Sequence, residues 1–219
     1  MLILHELTPS PNSVKIRLAL GFKGLDYERR PLVMEEFPGD RSHLVACSRQ
    51  PLTPVLEHDQ TRIFDSSAIL RYLEANFPDR PALFSEEIPV MREIEAWEFF
   101  ARTELLEPVG MVFEQAFLPE PDPEVLQQAR ERLHALTERI EKRLSGAPYL
   151  AAERMTAADV VAAPVVHLGT MEVEQVQESP IRSFFAQHFQ LQDHRSATRT
   201  WVERVMAHDP VYGRQQTAS

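Results

Sequence analysis

Two serines lie where a strand pattern gives way to a helix pattern near the start of the chain. Ser10 and Ser13 belong to the polar, proline-marked stretch from Thr8 to Leu20, which follows the apolar residues 2–4. This order predicts that Ser10 lies at a helix N-terminus, where unpaired backbone N–H groups and the helix dipole favour an anion. A serine at this point can also be a simple N-cap. The stretch therefore predicts an anion site, with Ser13 as the alternative hydroxyl.

A second predicted helix begins with a carboxylate and a hydroxyl. Asp65 and Ser66 precede an apolar stripe that ends at Pro78, so both can cap this helix, and both can also bind a charged ligand. Upstream, Pro54 opens a predicted β-hairpin. Because proline has no N–H for a sheet ladder, Pro54 is predicted to be either an edge residue or a cis-proline.

The elements that position these residues follow a strand–helix–strand pattern. A strand at residues 2–4, a helix ending near residues 21–24 and a strand over residues 25–33 predict a βαβ unit. Such a unit implies parallel strands with a right-handed crossover. After the polar segment 40–50, the hairpin and the helix that begins at Asp65 complete this part of the chain.

From Ile88 onward the strand signals disappear, and apolar residues recur at every third or fourth position. This spacing predicts a long helix bent at Pro108, a second amphipathic helix over residues 125–144, and further helices in the tail. Thr156 and Asp159 form a capping-box pattern ahead of an almost wholly apolar segment. That pattern is typical of the central buried helix of a helical domain.

The composition excludes several classes of protein. The 219 residues carry a net charge of −10 and are 43% hydrophobic, as expected of an ordinary globular protein without a basic surface for nucleic acid or anionic membranes. Cys47 is the sole cysteine, and no Cys/His cluster has the spacing of a zinc site, so we expect neither a disulfide nor a metal. With no run of about 18 apolar residues and no export-signal pattern, we expect a cytoplasmic protein.

Three motifs in order resemble those of one family. Ser-Pro-x-Ser at 10–13, Thr-Pro-Val-Leu at 53–56 and Asp-Ser-Ser-Ala-Ile-Leu-Arg-Tyr-Leu at 65–73 resemble the thioredoxin-like domain of the cytosolic glutathione transferases. The capping box extends the resemblance over nearly the whole chain. It implies a fold that is α/β plus all-α: a thioredoxin-like βαβαββα domain over residues 1–78, a linker over 79–87 and a helical bundle over 88–219. It also implies glutathione as co-substrate and a homodimer.

Similarity to the serine-type members, of theta, zeta or tau kind and bacterial origin, implies roles for particular residues. The Ser10 hydroxyl would donate to the glutathione sulfur and stabilise a thiolate that attacks a small hydrophobic electrophile. Thr53, before a cis-Pro54, would pair with the cysteinyl backbone, and Asp65 and Ser66 would receive the γ-glutamyl end. Lowering a thiol pKa by about two units takes roughly 2.7 kcal/mol. A hydrogen bond from a hydroxyl stabilises an anion by about 1.5 to 3 kcal/mol, and a helix N-terminus adds about 0.3 to 1 kcal/mol. Together these two contributions are large enough for this shift in the thiol pKa.

The segment before Pro54 departs from the family pattern. The family reads Asn-Pro-x-Gly-(Lys/Gln)-Val-Pro, whereas this chain reads Ser-Arg-Gln-Pro-Leu-Thr-Pro over 48–54. The contact with the glycyl carboxylate therefore falls to Arg49 or Gln50. We predict a glutathione transferase, with isomerase, dehalogenase or peroxidase chemistry as variants, and a non-enzymatic binding or regulatory protein of the same fold as the alternative.

Overall fold

The computed structural model describes residues 1–7, 9–32 and 40–212, which leaves Thr8 and the end of the predicted second strand at Val33 outside the described residues. The chain divides into two compact units, residues 1–84 with the C-terminal residues from Ala207, and residues 85–206. The elements of the first unit are β1 (Leu2–Leu7), α1 (Pro11–Phe22), β2 (Tyr27–Leu32), α2 (Ser42–Ser48), β3 (Val55–His58), β4 (Thr61–Phe64) and α3 (Ser66–Asn76).

Within the described residues of the first unit, four strands form one sheet in the order β2-β1-β3-β4. β1 runs parallel to β2, with Leu2 opposite Tyr27, and antiparallel to β3, with Leu4 opposite Leu56. The predicted βαβαββα order is confirmed. α1 packs on α3, and fully buried aliphatic side chains such as Ile16 fill the space between helices and sheet.

The described part of the second unit is built from helices. Its elements are α4 (Ile88–Phe100), a π-helical segment (Ala101–Leu105), α5 (Leu106–Gln115), α6 (Pro123–Leu144), α7 (Ala157–His167), α8 (Val173–Val176), α9 (Pro180–His188) and α10 (Ser196–Met206). The long helix predicted to bend at Pro108 is instead interrupted one turn earlier, by the π-helical segment. Pro108 lies in the first turn of α5 and has no N–H to donate to the carbonyl of Glu104, so regular α-helical pairing fails just before it.

α7 forms the centre of the helical unit. Residues 157–166 are all buried, and α4 and α10 pack against this helix. Asp159 is fully buried, and its carboxylate accepts the backbone N–H groups of Leu150 and Thr156, each at 2.9 Å. The indole Nε1 of Trp201 also donates to this carboxylate, at 2.9 Å. The capping box thus joins the start of α7 to the preceding loop and to α10.

The C-terminal residues from Ala207 group with the first unit, whereas we expected the helical domain to extend over 88–219. The reason is a buried ion network. Arg17 donates through Nη2 to Asp209 Oδ2 at 2.7 Å and through Nη1 to Glu6 Oε2 at 2.8 Å, and all three side chains are almost fully buried. Gly21 permits the close approach, because a Cβ there would lie 1.9 Å from the carbonyl oxygen of His208.

None of the described helices combines the length and the apolar character needed to cross a lipid bilayer.

Candidate functional site

A cavity of about 350 Å³ opens on the first unit, a size suited to a small ligand. The loop before β3, the end of β4 and the first turns of α1 and α3 surround it. Its lining residues are Asn12, Gln50, Leu52, Thr53, Pro54, Phe64, Asp65 and Ser66. The structure therefore brings together five residues predicted from the sequence: Gln50, Thr53, Pro54, Asp65 and Ser66.

The two serines of α1 have different environments. Ser10 is the N-cap of α1, is half-buried, and makes no side-chain capping bond. Ser13 is fully buried, and its Oγ accepts the backbone N–H of Leu7 at 3.0 Å. The Ser13 hydroxyl thus holds the end of β1. Of the described residues, Asn12 rather than Ser10 is the α1 residue that lines the cavity.

Asp65 combines a capping role with a left-handed backbone. It is the N-cap of α3 at φ 68°, a conformation that asparagine and aspartate tolerate better than most residues. Its Oδ1 accepts the backbone N–H groups of Ser67 at 2.9 Å and Ala68 at 3.1 Å. The carboxylate is exposed on the cavity side of the helix start, next to the buried Ser66. One carboxylate oxygen therefore caps the helix, while the group supplies the only formal charge among the described residues that line the cavity.

The Thr53–Pro54 peptide bond is cis, as the resemblance implies. Pro54 is buried directly before β3, and Thr53 is half-exposed in the cavity wall. The backbone of Thr53 therefore lies at the end of a strand, where an extended peptide could pair with it.

Gln50 and Arg49 do not provide a free cation or amide to the cavity. Gln50 Nε2 donates to Ser48 Oγ at 3.0 Å and to the Leu52 carbonyl at 2.9 Å, which uses both of its hydrogens. Its Oε1 accepts the Leu52 N–H at 2.6 Å. Arg49, at φ 61°, is the exposed C-cap of α2, and among the described residues it does not line the cavity. Gln50 instead fixes the shape of the 48–52 loop.

Three cavity residues were not predicted from the sequence: Asn12, Leu52 and Phe64. Asn12 Oδ1 accepts a hydrogen bond from the buried Lys15 Nζ at 2.8 Å, which leaves its Nδ2 group as the donor. Leu52 and Phe64 are 67% and 50% exposed, unusual for large apolar side chains. Only the positions of two of these residues in the sequence could have indicated their place in the cavity. Asn12 lies within the stretch predicted to form an anion site, and Phe64 directly precedes Asp65.

Both halves of the chain match models of one family. A model described as "Glutathione S-transferase, N-terminal domain" matches residues 4–81, and one described as "Glutathione S-transferase, C-terminal domain" matches residues 100–209. The chain is similar to glutathione S-transferase U10 of Arabidopsis thaliana, with 26% identity over 141 residues, or 64% of this chain and 59% of that protein. It is 35% identical to maleylacetoacetate isomerase of Pseudomonas aeruginosa over 95 residues, or 42% of this chain and 44% of that protein.

A solved structure shares the fold over the whole chain. Glutathione transferase F7 from Populus trichocarpa superposes with a TM-score of 0.73 at 20% identity, covering 99% of this chain and 98% of that one. The matches to both relatives above span less than two thirds of those proteins. The activities of those relatives are therefore not assigned to this chain on the basis of these matches. The family models, in contrast, cover most of the sequence in the expected order. This chain therefore belongs to the glutathione S-transferase family.

Proposed function

We propose that this protein is a glutathione transferase that binds glutathione in the cavity of the first unit. The cavity supplies complementary groups for the cysteinyl and γ-glutamyl parts of an extended γ-glutamyl peptide. The backbone of Thr53 pairs with the cysteinyl residue, the Asp65 carboxylate binds the γ-glutamyl ammonium, and Ser66 with the first turn of α3 binds its carboxylate. The observation that carries the proposal is the convergence of these groups on one cavity in a chain of this family.

Ser10 is the residue that we assign to the sulfur. Its hydroxyl is half-buried and makes no capping bond, whereas Ser13 is fully buried with its oxygen accepting the Leu7 N–H, so Ser10 is the more accessible donor. A bound thiolate would accept the Ser10 hydrogen bond near the N-terminus of α1, which favours the ionised sulfur. The thiolate then attacks a small hydrophobic electrophile held beside it, and the enzyme gains rate through proximity and through a larger ionised fraction.

The decisive experiment compares two matched serines. We expect glutathione to bind the wild type in calorimetry and to show thiolate absorbance near neutral pH. Ser10→Ala should retain binding and lose most of the thiolate signal. Ser179→Ala is the control, because Ser179 is also a half-buried N-cap that precedes a proline and makes no side-chain capping bond. No binding at millimolar glutathione would refute the proposal, and equal thiolate signals in the two variants would refute the role of Ser10.

Asp65 allows its two roles to be separated. Asp65→Asn keeps a good N-cap and tolerates the positive φ but loses the charge. We therefore expect it to weaken glutathione binding by about tenfold, as loss of a charge-assisted bond of roughly 1.4 kcal/mol implies, with little change in stability. Asp65→Ala should weaken glutathione binding and also lower the stability of the protein, because it removes the helix cap as well as the charge. If Asp65→Asn binds glutathione as tightly as the wild type, the assigned ammonium contact is wrong.

One observation favours a second candidate, a binding or regulatory protein without transferase activity. Gln50 is engaged within its own loop and Arg49 lies outside the cavity lining, so neither supplies the glycyl-carboxylate contact in this arrangement. Binding of glutathione without turnover of any aromatic halide or isomerisable acid would support this candidate.

We also propose a cytoplasmic homodimer. Large apolar side chains such as Ile88 and Phe99, on α4, are 69% and 59% exposed in the single chain. Sedimentation at micromolar concentration should give a mass of twice 25.1 kDa.

A further inference from the structure

Three elements of the first unit bring metal-binding side chains together. His5 lies on β1, Cys47 on α2 and Glu57 on β3, and one ligand atom from each lies within 4.8 Å of the other two. The three residues are 42 and 10 positions apart in sequence, so their spacing resembles no local metal motif. Among the cavity-lining residues described above there is none of the three. The cluster is therefore separate from the proposed glutathione contacts.

His5 is held in the way that metal-bound histidines are held. Its side chain is only 5% exposed, and its Nε2 lies 2.6 Å from Glu57 Oε1. Its Nδ1 is buried and has no hydrogen-bond partner among the described residues. Metal-ligating imidazoles usually donate one ring N–H to a carboxylate, which leaves the lone pair of the other nitrogen for the metal. Nδ1 is thus a buried acceptor that lacks a partner and that a cation would satisfy.

Glu57 is supported from its other side. Arg62 Nη2 lies 3.2 Å from Glu57 Oε2, and Arg30 Nη1 lies 3.9 Å from Oε1. Both arginines are partly exposed, with 41% and 48% of their side chains accessible, so solvent screens their repulsion of a cation. The carboxylate therefore acts as an outer support that orients the His5 ring.

α2 contributes Cys47 to the cluster and carries His43 one helical turn earlier. His43 and Cys47 are four residues apart on α2, so both project from the same face of the helix. The His43 ring lies 5.8 Å from that of His5, centre to centre. His43 is exposed and Cys47 half-buried, so a cation can reach the cluster from solvent. A thiol with two imidazoles selects zinc-like thiophilic cations over the oxygen-preferring Mg²⁺ and Ca²⁺.

We propose that His5, His43 and Cys47 bind a thiophilic divalent cation of the zinc class, with Glu57 orienting His5. On binding, the Cys47 S–H bond breaks, its proton passes to solvent and the thiolate coordinates the metal. The thiolate and the carboxylate together balance the charge of the cation.

Cobalt(II) is the probe, because it reports thiolate coordination as a charge-transfer absorption. The untagged, reduced full chain, freed of metal by a chelator, is titrated with Co²⁺. We expect one equivalent to produce the band, Zn²⁺ to displace it, and Cys47→Ser to abolish it. His43→Ala should weaken Co²⁺ binding at least tenfold. His194→Ala, which changes another exposed histidine, should bind like the wild type.

A second measurement does not depend on cobalt. Since Cys47 is the only cysteine, the whole reaction with Ellman's reagent reports this thiol. Zn²⁺ should slow the reaction at least tenfold in the wild type and His194→Ala, and much less in His43→Ala. Absence of the charge-transfer band at millimolar Co²⁺, an unchanged thiol rate with Zn²⁺, or equal affinities of the two histidine variants would overturn the proposal.

Discussion

Tyr27 carries a polar atom that the fold leaves without a partner. Its hydroxyl, at the start of β2, is buried and has no hydrogen-bond partner among the described residues. Such a group costs about 1 to 3 kcal/mol relative to its hydrated state. We expect Tyr27→Phe to raise the free energy of unfolding by about 1 kcal/mol in urea denaturation. Tyr72→Phe is the control and should lower it, because the Tyr72 hydroxyl lies 2.9 Å from His58 Nδ1.

The same residue predicts a response to alkaline pH. Burial raises the pKa of Tyr27 to about 12, against about 10 in an unfolded chain. A raised pKa means that the folded state keeps the phenol neutral while the unfolded state ionises. Ionisation of Tyr27 thus leaves the protein's stability unchanged below about pH 10 and lowers it as pH rises from about 10 to 12. Tyr27→Phe should lose less stability than the wild type over this window; equal losses would contradict the assignment.

At the residue scale, the sequence predicted part of the lining of one cavity, and the binding roles of these residues are proposals. Thr53, Pro54, Asp65 and Ser66 could be predicted to share a site because each lies at the start of an element whose pattern is readable. Asn12 could not, since its role depends on the bond from Lys15 that orients its amide. The burial that distinguishes Ser13 from Ser10 is equally a product of packing.

At the scale of elements, the buried start of α7 should contribute more stability than an exposed helix start. Asp159→Ala would leave the backbone N–H groups of Leu150 and Thr156 and the indole of Trp201 without their acceptor. We expect a loss of about 3 to 5 kcal/mol, measured by urea denaturation followed by tryptophan fluorescence. Asp122→Ala removes the exposed cap of α6, whose carboxylate accepts the Glu124 N–H, and should cost about 1 kcal/mol.

If the Asp159→Ala and Asp122→Ala variants lost similar stability, burial of the α7 cap would not explain its contribution to the free energy of unfolding.

The capping box itself could be predicted from the sequence because it is a local pattern. The contact with Trp201 was not, since it joins residues 42 positions apart. The π-helical segment before α5 was also missed, because proline predicts a disruption without giving its form or place.

At the scale of the molecule, the fold depends on an ion pair between residues 192 positions apart, Arg17 and Asp209. Removing one member of a buried pair leaves an uncompensated charge and costs about 3 to 5 kcal/mol. We expect Asp209→Ala to destabilise the protein by this amount in urea denaturation. Asp193→Ala, which removes a fully exposed carboxylate 3.8 Å from Arg199, should change stability by less than about 0.5 kcal/mol. Comparable effects would show that the buried network contributes little.

Local sequence patterns predict the order of the strands and helices, because hydrophobic periodicity and helix caps each involve only a few neighbouring residues. They do not give the return of the chain from Ala207 to the first unit, nor the meeting of His5, Cys47 and Glu57. Both arise from tertiary packing between elements distant in sequence. The division of the chain into two units is therefore harder to predict from the sequence than the helices and strands are.

The return of the C-terminal segment has a consequence for biosynthesis. Translation makes Glu6 and Arg17 before the helical unit, yet Arg17 can bind Asp209 only after that whole unit has been synthesised. Until then, the Arg17 guanidinium lacks the Asp209 carboxylate, and the nascent sheet unit is incomplete. The sheet unit is thus completed only after the helical unit that follows it in sequence, so a stop codon that removes Asp209 would damage the sheet unit.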